Sequence, residues 1–284
     1  MSSREQIIEK IDSIPGIPVS AAKAIQLLQN PQKNMSEVIR VIEYDPGITA
    51  NILKLVNSSA FAAERRISSL QEATVRIGAN NLLQMLVGSS MAGLLSQKVK
   101  GYDLPAGELW RSSIASAIYT DILRDTLHLQ LPHYTFTAGL LHDVGKIVLG
   151  SFIDVNAAEI VSYSVNNRIS FVEAEQHILG IDHPEAGALL LHKWNLPQEL
   201  ENPVRWHHNP EKCPGDALVT EVVHIADALT IMEGIGTGCE GLNYRLSDRV
   251  ASKLGLTIDM IEQIVCKAQI RREEIKDILA DSSQ

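Results

Sequence analysis

An all-α fold is predicted by three observations: apolar residues recur at three- and four-residue spacing along most of the chain, strand-like alternation is absent, and helix-start signatures appear repeatedly. Taken in order, Ser36 is placed to cap a helix through Val38, Ile39, Val41 and Ile42. Asp45-Pro46 ends that helix and supplies the N-cap and first turn of the next, whose apolar face is Ile48, Ile52, Leu55 and Val56. Ser69 with Glu72, Ser170 with Glu173 and Asp182 with Glu185 have the spacing of capping boxes, which locates three more helix starts. Gly78, Gly150 and Gly180 are the expected stops. The break Gly101-Tyr102-Asp103-Leu104-Pro105-Ala106-Gly107 divides the chain into an N-terminal helical lobe, 1–101, and a second helical lobe, 102–284. A glycine-rich run at 234–243 has no apolar period and reads as a mobile loop before a C-terminal helical pair.

Composition narrows the function. The chain has 284 residues, 45% of them hydrophobic, and no run of about 18 consecutive apolar residues, so no membrane insertion is expected. Its start, Met-Ser-Ser-Arg-Glu, lacks a basic segment leading into an apolar one, and a cytoplasmic protein is expected. Cys213, Cys239 and Cys266 are far apart and form neither a disulfide framework nor a thiolate zinc site. A net charge of -9 argues against DNA or RNA as a partner. Arg271, Arg272 and Lys276 are interleaved with Glu273, Glu274 and Asp277, the pattern of a solvated helix face.

The chemistry lies in histidines and carboxylates. His142 and Asp143 interrupt the apolar stretch Thr135 to Gly150, and a buried carboxylate must be paired, hydrogen-bonded or metal-bound, because leaving it uncompensated costs several kcal/mol. His183, the pair His207-His208 and Asp227 follow on separate helical segments that an antiparallel bundle can fold around one pocket. Such a donor set suits iron, manganese or zinc, and Asp143 could bridge two ions. Lys146, one turn beyond the pair, either reaches a phosphate oxygen or pairs with Asp143. His224, one turn before Asp227, reads as a supporting histidine; His128, His133, His177 and His192 lack a useful carboxylate partner and read as structural or exposed. Cys213 reads as a free thiol in a turn, and Trp110, Trp194 and Trp206 as packing groups.

His142-Asp143-x-Gly145-Lys146, with Asp227 in His224-Ile225-Ala226-Asp227-Ala228-Leu229, resembles the HD superfamily of metal-dependent phosphohydrolases. More narrowly, the chain resembles the HDOD family, a signalling relative of the HD-GYP cyclic-dinucleotide phosphodiesterases. Ile14-Pro15-Gly16-Ile17-Pro18, Tyr44-Asp45-Pro46-Gly47-Ile48-Thr49, Leu55-Val56-Asn57-Ser58, Ile67-Ser68-Ser69-Leu70-Gln71-Glu72-Ala73, Leu109-Trp110-Arg111-Ser112-Ser113 and Gly180-Ile181-Asp182-His183-x-Glu185 carry the likeness in order. The resemblance implies an HD-type bundle packed on an N-terminal lobe, with metal ligands among His142, Asp143, His183, His207, His208 and Asp227.

Two departures bear on activity. Ser112 stands where the superfamily has its first metal-binding histidine, and no Gly-Tyr-Pro segment follows His207-His208. The residues matching the second ion of HD-GYP proteins, Asp143, His183, His207 and His208, are all present. The resemblance thus implies one well-held divalent ion, iron or manganese, rather than two. The expected role is bacterial signal transduction, through binding of a protein partner and of a nucleotide or cyclic dinucleotide, with little or no catalysis. The alternative is a metal-dependent phosphohydrolase or cyclic-dinucleotide phosphodiesterase in which Asp143 and Lys146 act catalytically.

Overall fold

A computed structural model describes residues 3–29, 34–57, 67–132, 134–240 and 246–274. The regular elements among the described residues are helical, as the periodicity predicts, with one isolated antiparallel bridge between Val99 and Leu104. The N-terminal part holds α1 (Ser3–Ser13), α2 (Val19–Gln29), α3 (Met35–Glu43), α4 (Pro46–Val56) and α5 (Leu70–Leu95). Then come α6 (Glu108–Thr126), α7 (Thr135–Leu141), α8 (Gly145–Asn167), α9 (Phe171–Leu179), α10 (His183–Lys193), α11 (Glu201–Trp206), α12 (Leu218–Met232), α13 (Asp248–Lys253) and α14 (Ile258–Glu274).

Local chemistry sets most of the expected helix starts. The Asp45 carboxylate accepts the Ile48 N–H at 3.1 Å, with Pro46 in the first turn of α4. Ser69 accepts the Glu72 N–H, although Glu72 reaches back to Ser68 rather than to Ser69. Ser170 and Glu173 form a complete capping box. Asp182 accepts the Glu185 N–H at 2.8 Å, while the Glu185 carboxylate turns to Arg4 and Arg205 instead of closing a box.

Three expectations change. Asn34, not Ser36, caps α3: its side chain accepts the Ser36 N–H, and Ser36 lies within the first turn. Gly78 breaks α5 with left-handed backbone (φ 79°), but the helix resumes at once. Gly150 stops nothing; it lies inside α8, where a Cβ would meet Val99 Cγ1 at 2.5 Å, so it is there for packing. Gly180 does end α9, in the left-handed conformation. Ser58, His133, Lys276, Asp277 and residues 241–243 lie outside the described residues.

The helix α6 packs against α7, α12 and α14 and is buried from most directions, which is why it has no single apolar face. On the other side α8 packs on α9 and α10, and α10 on α11. The first helix, α1, reaches α8 and α10: Lys193 donates to the carbonyls of Ile11, Asp12 and Ile14, satisfying the C-terminal end of α1, and Trp194 Nε1 donates to the Pro15 carbonyl. One apolar core therefore runs through both parts of the chain. Among the described residues one stretch, Thr135–Ile153, is long and apolar enough to cross a membrane, and 78% of it is buried inside the fold.

Candidate metal centre

The His142-Asp143 pair sits at a turn, not within one helix: α7 ends at Leu141, and α8 begins at Gly145. The turn aims both side chains at α10, α11 and α12. Gly145 makes this possible, because a Cβ there would lie 2.6 Å from the Gly187 N and closer still to the His183 carbonyl. The start of α8 thus rests directly on the backbone of α10, which places His183 beside Asp143. His183 begins α10, His207 follows the last residue of α11, and Asp227 lies on α12.

Each of three imidazoles has its Nδ1 facing an oxygen acceptor. His142 Nδ1 lies 2.8 Å from the Gly139 carbonyl, His207 Nδ1 2.8 Å from the Val204 carbonyl, and His183 Nδ1 2.9 Å from Glu175 Oε2. Protons held at Nδ1 leave the Nε2 lone pairs to face the centre, as metal-ligating histidines require. Around that centre, Asp143 Oδ1 is 3.3 Å from His183 Nε2 and 3.7 Å from His207 Nε2; Asp143 Oδ2 is 3.3 Å from His142 Nε2. His208 Nε2 is 3.0 Å from His183 Nε2, and Asp227 Oδ1 is 3.2 Å from His142 Nε2.

The six expected ligands therefore come together in two overlapping sets. Asp143, His183, His207 and His208 present ligand atoms all within 4.8 Å of one another, as do His142, His207 and Asp227. Opposed ligands of one ion, each about 2.1 Å from it, are on the order of 4 Å apart, so either set has suitable spacing. Three buried atoms, Asp143 Oδ1, His207 Nε2 and Asp227 Oδ2, have no hydrogen-bond partner. Buried polar atoms are rarely left so; a cation in the first set would engage Asp143 Oδ1 and His207 Nε2, and one in the second would engage His207 Nε2 and Asp227. The donor set fits a divalent ion.

The electrostatics favour a cation as well. Burial opposes charge on His142, yet Asp143 and Asp227 outweigh it and push its pKa up to about 10. Burial likewise opposes charge on His183, but Glu175 and Asp143 raise it to about 10. His207 goes the other way, down to about 3, through burial and the neighbouring charge of His142. Asp143, despite burial, is held well below the carboxylate range by His142 and Lys146. Asp227 is likewise lowered, by His142, so the two aspartates stay charged, and a proton or a metal ion competes for the same Nε2 positions.

Lys146 takes the pairing alternative. Its ammonium, nearly inaccessible, lies 2.7 Å from Asp143 Oδ2 and 2.6 Å from Glu240 Oε1. Ser112 belongs to neither ligand set; its hydroxyl donates to the Leu109 carbonyl at 3.0 Å. His224 supports the site from outside, its Nδ1 2.7 Å from the His207 carbonyl and its Nε2 accepting the Ser247 N–H. His177 stacks on Tyr163, His192 is exposed beside Glu201, and Trp206 carries the Arg205 guanidinium over its ring.

Residue periodicity misses three contributors. Glu175, fully buried, accepts from His183 N and from the Tyr102 hydroxyl in addition to facing His183 Nδ1. Tyr102 and Glu240 come from stretches read as a lobe boundary and a loop. The one signal available for Glu175 is its place on the apolar side of α9, beside buried Phe171, Val172, Ala174 and Leu179.

The comparisons agree with this architecture. A curated relative, an uncharacterized protein of Treponema pallidum (strain Nichols), is 26% identical over 231 residues; these cover 80% of the present chain, which spans 44% of that relative's length. Among solved structures, a candidate phosphohydrolase from Shewanella amazonensis SB2B superposes with a TM-score of 0.71 at 23% identity, covering 98% of both chains. A candidate signal-transduction protein from Marinobacter aquaeolei VT8 gives a TM-score of 0.71 at 22% identity, covering 99% of this chain and 66% of that one. At those identities the likeness is one of fold. Residues 14–210 match the HDOD domain, a span that takes in the N-terminal motifs and every site residue except Asp227, Lys146's partner Glu240 and the supporting His224. The chain belongs to the HDOD family.

Proposed function

We propose that this chain is a bacterial signal-transduction regulator whose pocket binds one divalent ion, iron or manganese, and through it a phosphate-bearing ligand such as a nucleotide or cyclic dinucleotide, with little or no hydrolysis. The observation that carries this reading is the division of labour at Asp143. Its Oδ1 faces His183 and His207 without a hydrogen bond, while its Oδ2 is engaged by the Lys146 ammonium at 2.7 Å. Two-metal phosphoester hydrolysis uses ions about 3.5–4 Å apart that share ligands. Here an ammonium competes for the oxygen a second ion would share, and Ser112 offers no imidazole. When bound, the ion supplies Lewis-acid charge for an oxyanion.

In this reading, residues 102–284 form the pocket lobe and residues 1–101 the lobe that contacts a signalling protein. Support comes from Val19, Tyr44 and Val75, which are 85%, 82% and 89% exposed. The ends of α2, α3 and α5 that carry them are tied together by the Ser20–Asp45 and Gln71–Glu43 hydrogen bonds. The Marinobacter protein is named for signal transduction and the Shewanella protein for phosphohydrolase activity, one for each reading of this site.

A metal-dependent phosphohydrolase is the second reading, favoured by the ligand spacing of His142, His207 and Asp227 and by the unpartnered Asp227 Oδ2. Metal analysis together with a phosphate-release assay on nucleotides and cyclic dinucleotides, in iron, manganese and magnesium, separates the two. One ion per chain and no turnover supports the regulator. Two ions per chain, with turnover abolished by Asp143→Ala, overturns it.

A further inference from the structure

The run from Gly234 to Glu240 is pinned against the pocket rather than free. Gly236 N–H donates to Glu108 Oε1 at 2.9 Å, Cys239 N–H donates to the Tyr102 carbonyl at 2.9 Å, and the Cys239 thiol donates to the Gly101 carbonyl at 3.2 Å. Glycines permit the close fit: a Cβ on Gly236 would lie 2.5 Å from Ser112 Cβ, and Gly238 rests directly on the Tyr102 carbonyl. What this run delivers to the pocket is the Glu240 carboxylate, 2.6 Å from the Lys146 ammonium.

A pocket already rich in carboxylates, with Asp143, Asp227 and Glu175 all buried, gains a further one at a cost in repulsion and desolvation. Lys146 supplies the compensation, holding an oxyanion beside the imidazole cluster. A carboxylate and a phosphate offer such a site the same kind of oxygen, but inorganic phosphate or a terminal phosphate monoester carries about -1.5 to -2 charge at neutral pH and interacts more strongly with a cation. We propose that Glu240 is an internal competitor: its carboxylate holds the oxyanion position at Lys146, and a phosphate-bearing ligand enters by displacing it, releasing the 234–240 run from Tyr102, Gly101 and Glu108. The inference rests on the ligand-binding reading of the pocket given above. A tethered group competes at an effective concentration on the order of millimolar, so the displacement sets an affinity threshold and couples occupancy to the position of the loop.

The test uses the full manganese-loaded chain and inorganic phosphate as probe. Calorimetric titration compares the native chain with Glu240→Gln, which keeps the shape and removes the charge, and with Lys146→Met combined with Glu240→Gln. Glu240→Gln is expected to bind phosphate about tenfold more tightly than the native chain, and the double substitution to lose that gain. In parallel, iodoacetamide labelling of Cys239, followed site by site by mass spectrometry, is measured on the native chain with and without phosphate. Phosphate is expected to speed labelling several-fold; because it adds negative charge near the thiol, faster labelling reports release of the loop and not a more acidic thiol. Equal or weaker phosphate binding by Glu240→Gln, or labelling unchanged by saturating phosphate, overturns the inference. Manganese retained in those cases leaves the metal pocket standing; a chain that retains no manganese removes the pocket reading, and this inference with it.

Discussion

Glu175 shows how much a single side chain contributes to this site. One oxygen accepts from the Tyr102 hydroxyl; the other accepts the His183 backbone N–H and faces His183 Nδ1. The carboxylate thereby fixes the rotation and tautomer of a ligand imidazole, a role whose loss typically weakens metal affinity by about 10–100-fold. Glu175→Gln is expected to reduce manganese affinity by that order while the circular dichroism spectrum stays that of the native chain. Unchanged affinity would show that His183 is oriented by packing alone. Gly145 makes the opposite kind of contribution, by absence of a side chain. Gly145→Ala places a methyl group inside the backbone of α10, and overpacking of this kind costs on the order of 1–3 kcal/mol. Urea denaturation should show that loss together with reduced metal retention.

At the scale of the element, helix starts are legible in sequence because capping is local chemistry. Asp45, Ser69, Ser170 and Asp182 each accept the N–H three residues on. Ser36 fails as a cap because Asn34, an equally good acceptor two residues earlier, starts the helix first. Gly150 shows the limit of reading glycine as punctuation: a helix can use it to admit a neighbour such as Val99. The histidines and aspartates are legible because they interrupt apolar stretches. Glu175 and Glu240 are not, since a glutamate that faces a distant histidine or lysine has the same local sequence as one that faces water. Asp45 gives a pH-dependent prediction. The Ile48 N–H and the Ser20 hydroxyl lower its folded pKa below the ordinary value, so its contribution is present above the unfolded pKa, about 4, and fades as pH falls through the lower folded value. Asp45→Ala is expected to cost about 1 kcal/mol at pH 7 and progressively less in acid. A penalty that grows toward low pH would contradict the capping role.

For the whole molecule, the pocket is where α7, α8, α10, α11 and α12 meet, so an ion there joins helices that the chain order keeps apart. A ligand that binds only the folded state stabilises it by about 2.7 kcal/mol at a hundredfold excess over Kd. For a chain of this size that corresponds to a rise in Tm of roughly 5–10 °C. Thermal melts of chelator-treated protein with and without manganese should show that rise, and Asp143→Ala should abolish it. Those melts report that an ion binds; they do not locate it. Anomalous diffraction at the manganese edge does, and it bears directly on the claim that Asp143 divides its oxygens between an ion and Lys146. The expected map has a single peak per chain, bounded by Asp143, His183, His207 and His208. A second peak between His142 and Asp227, or no peak from metal-loaded crystals, would contradict the account.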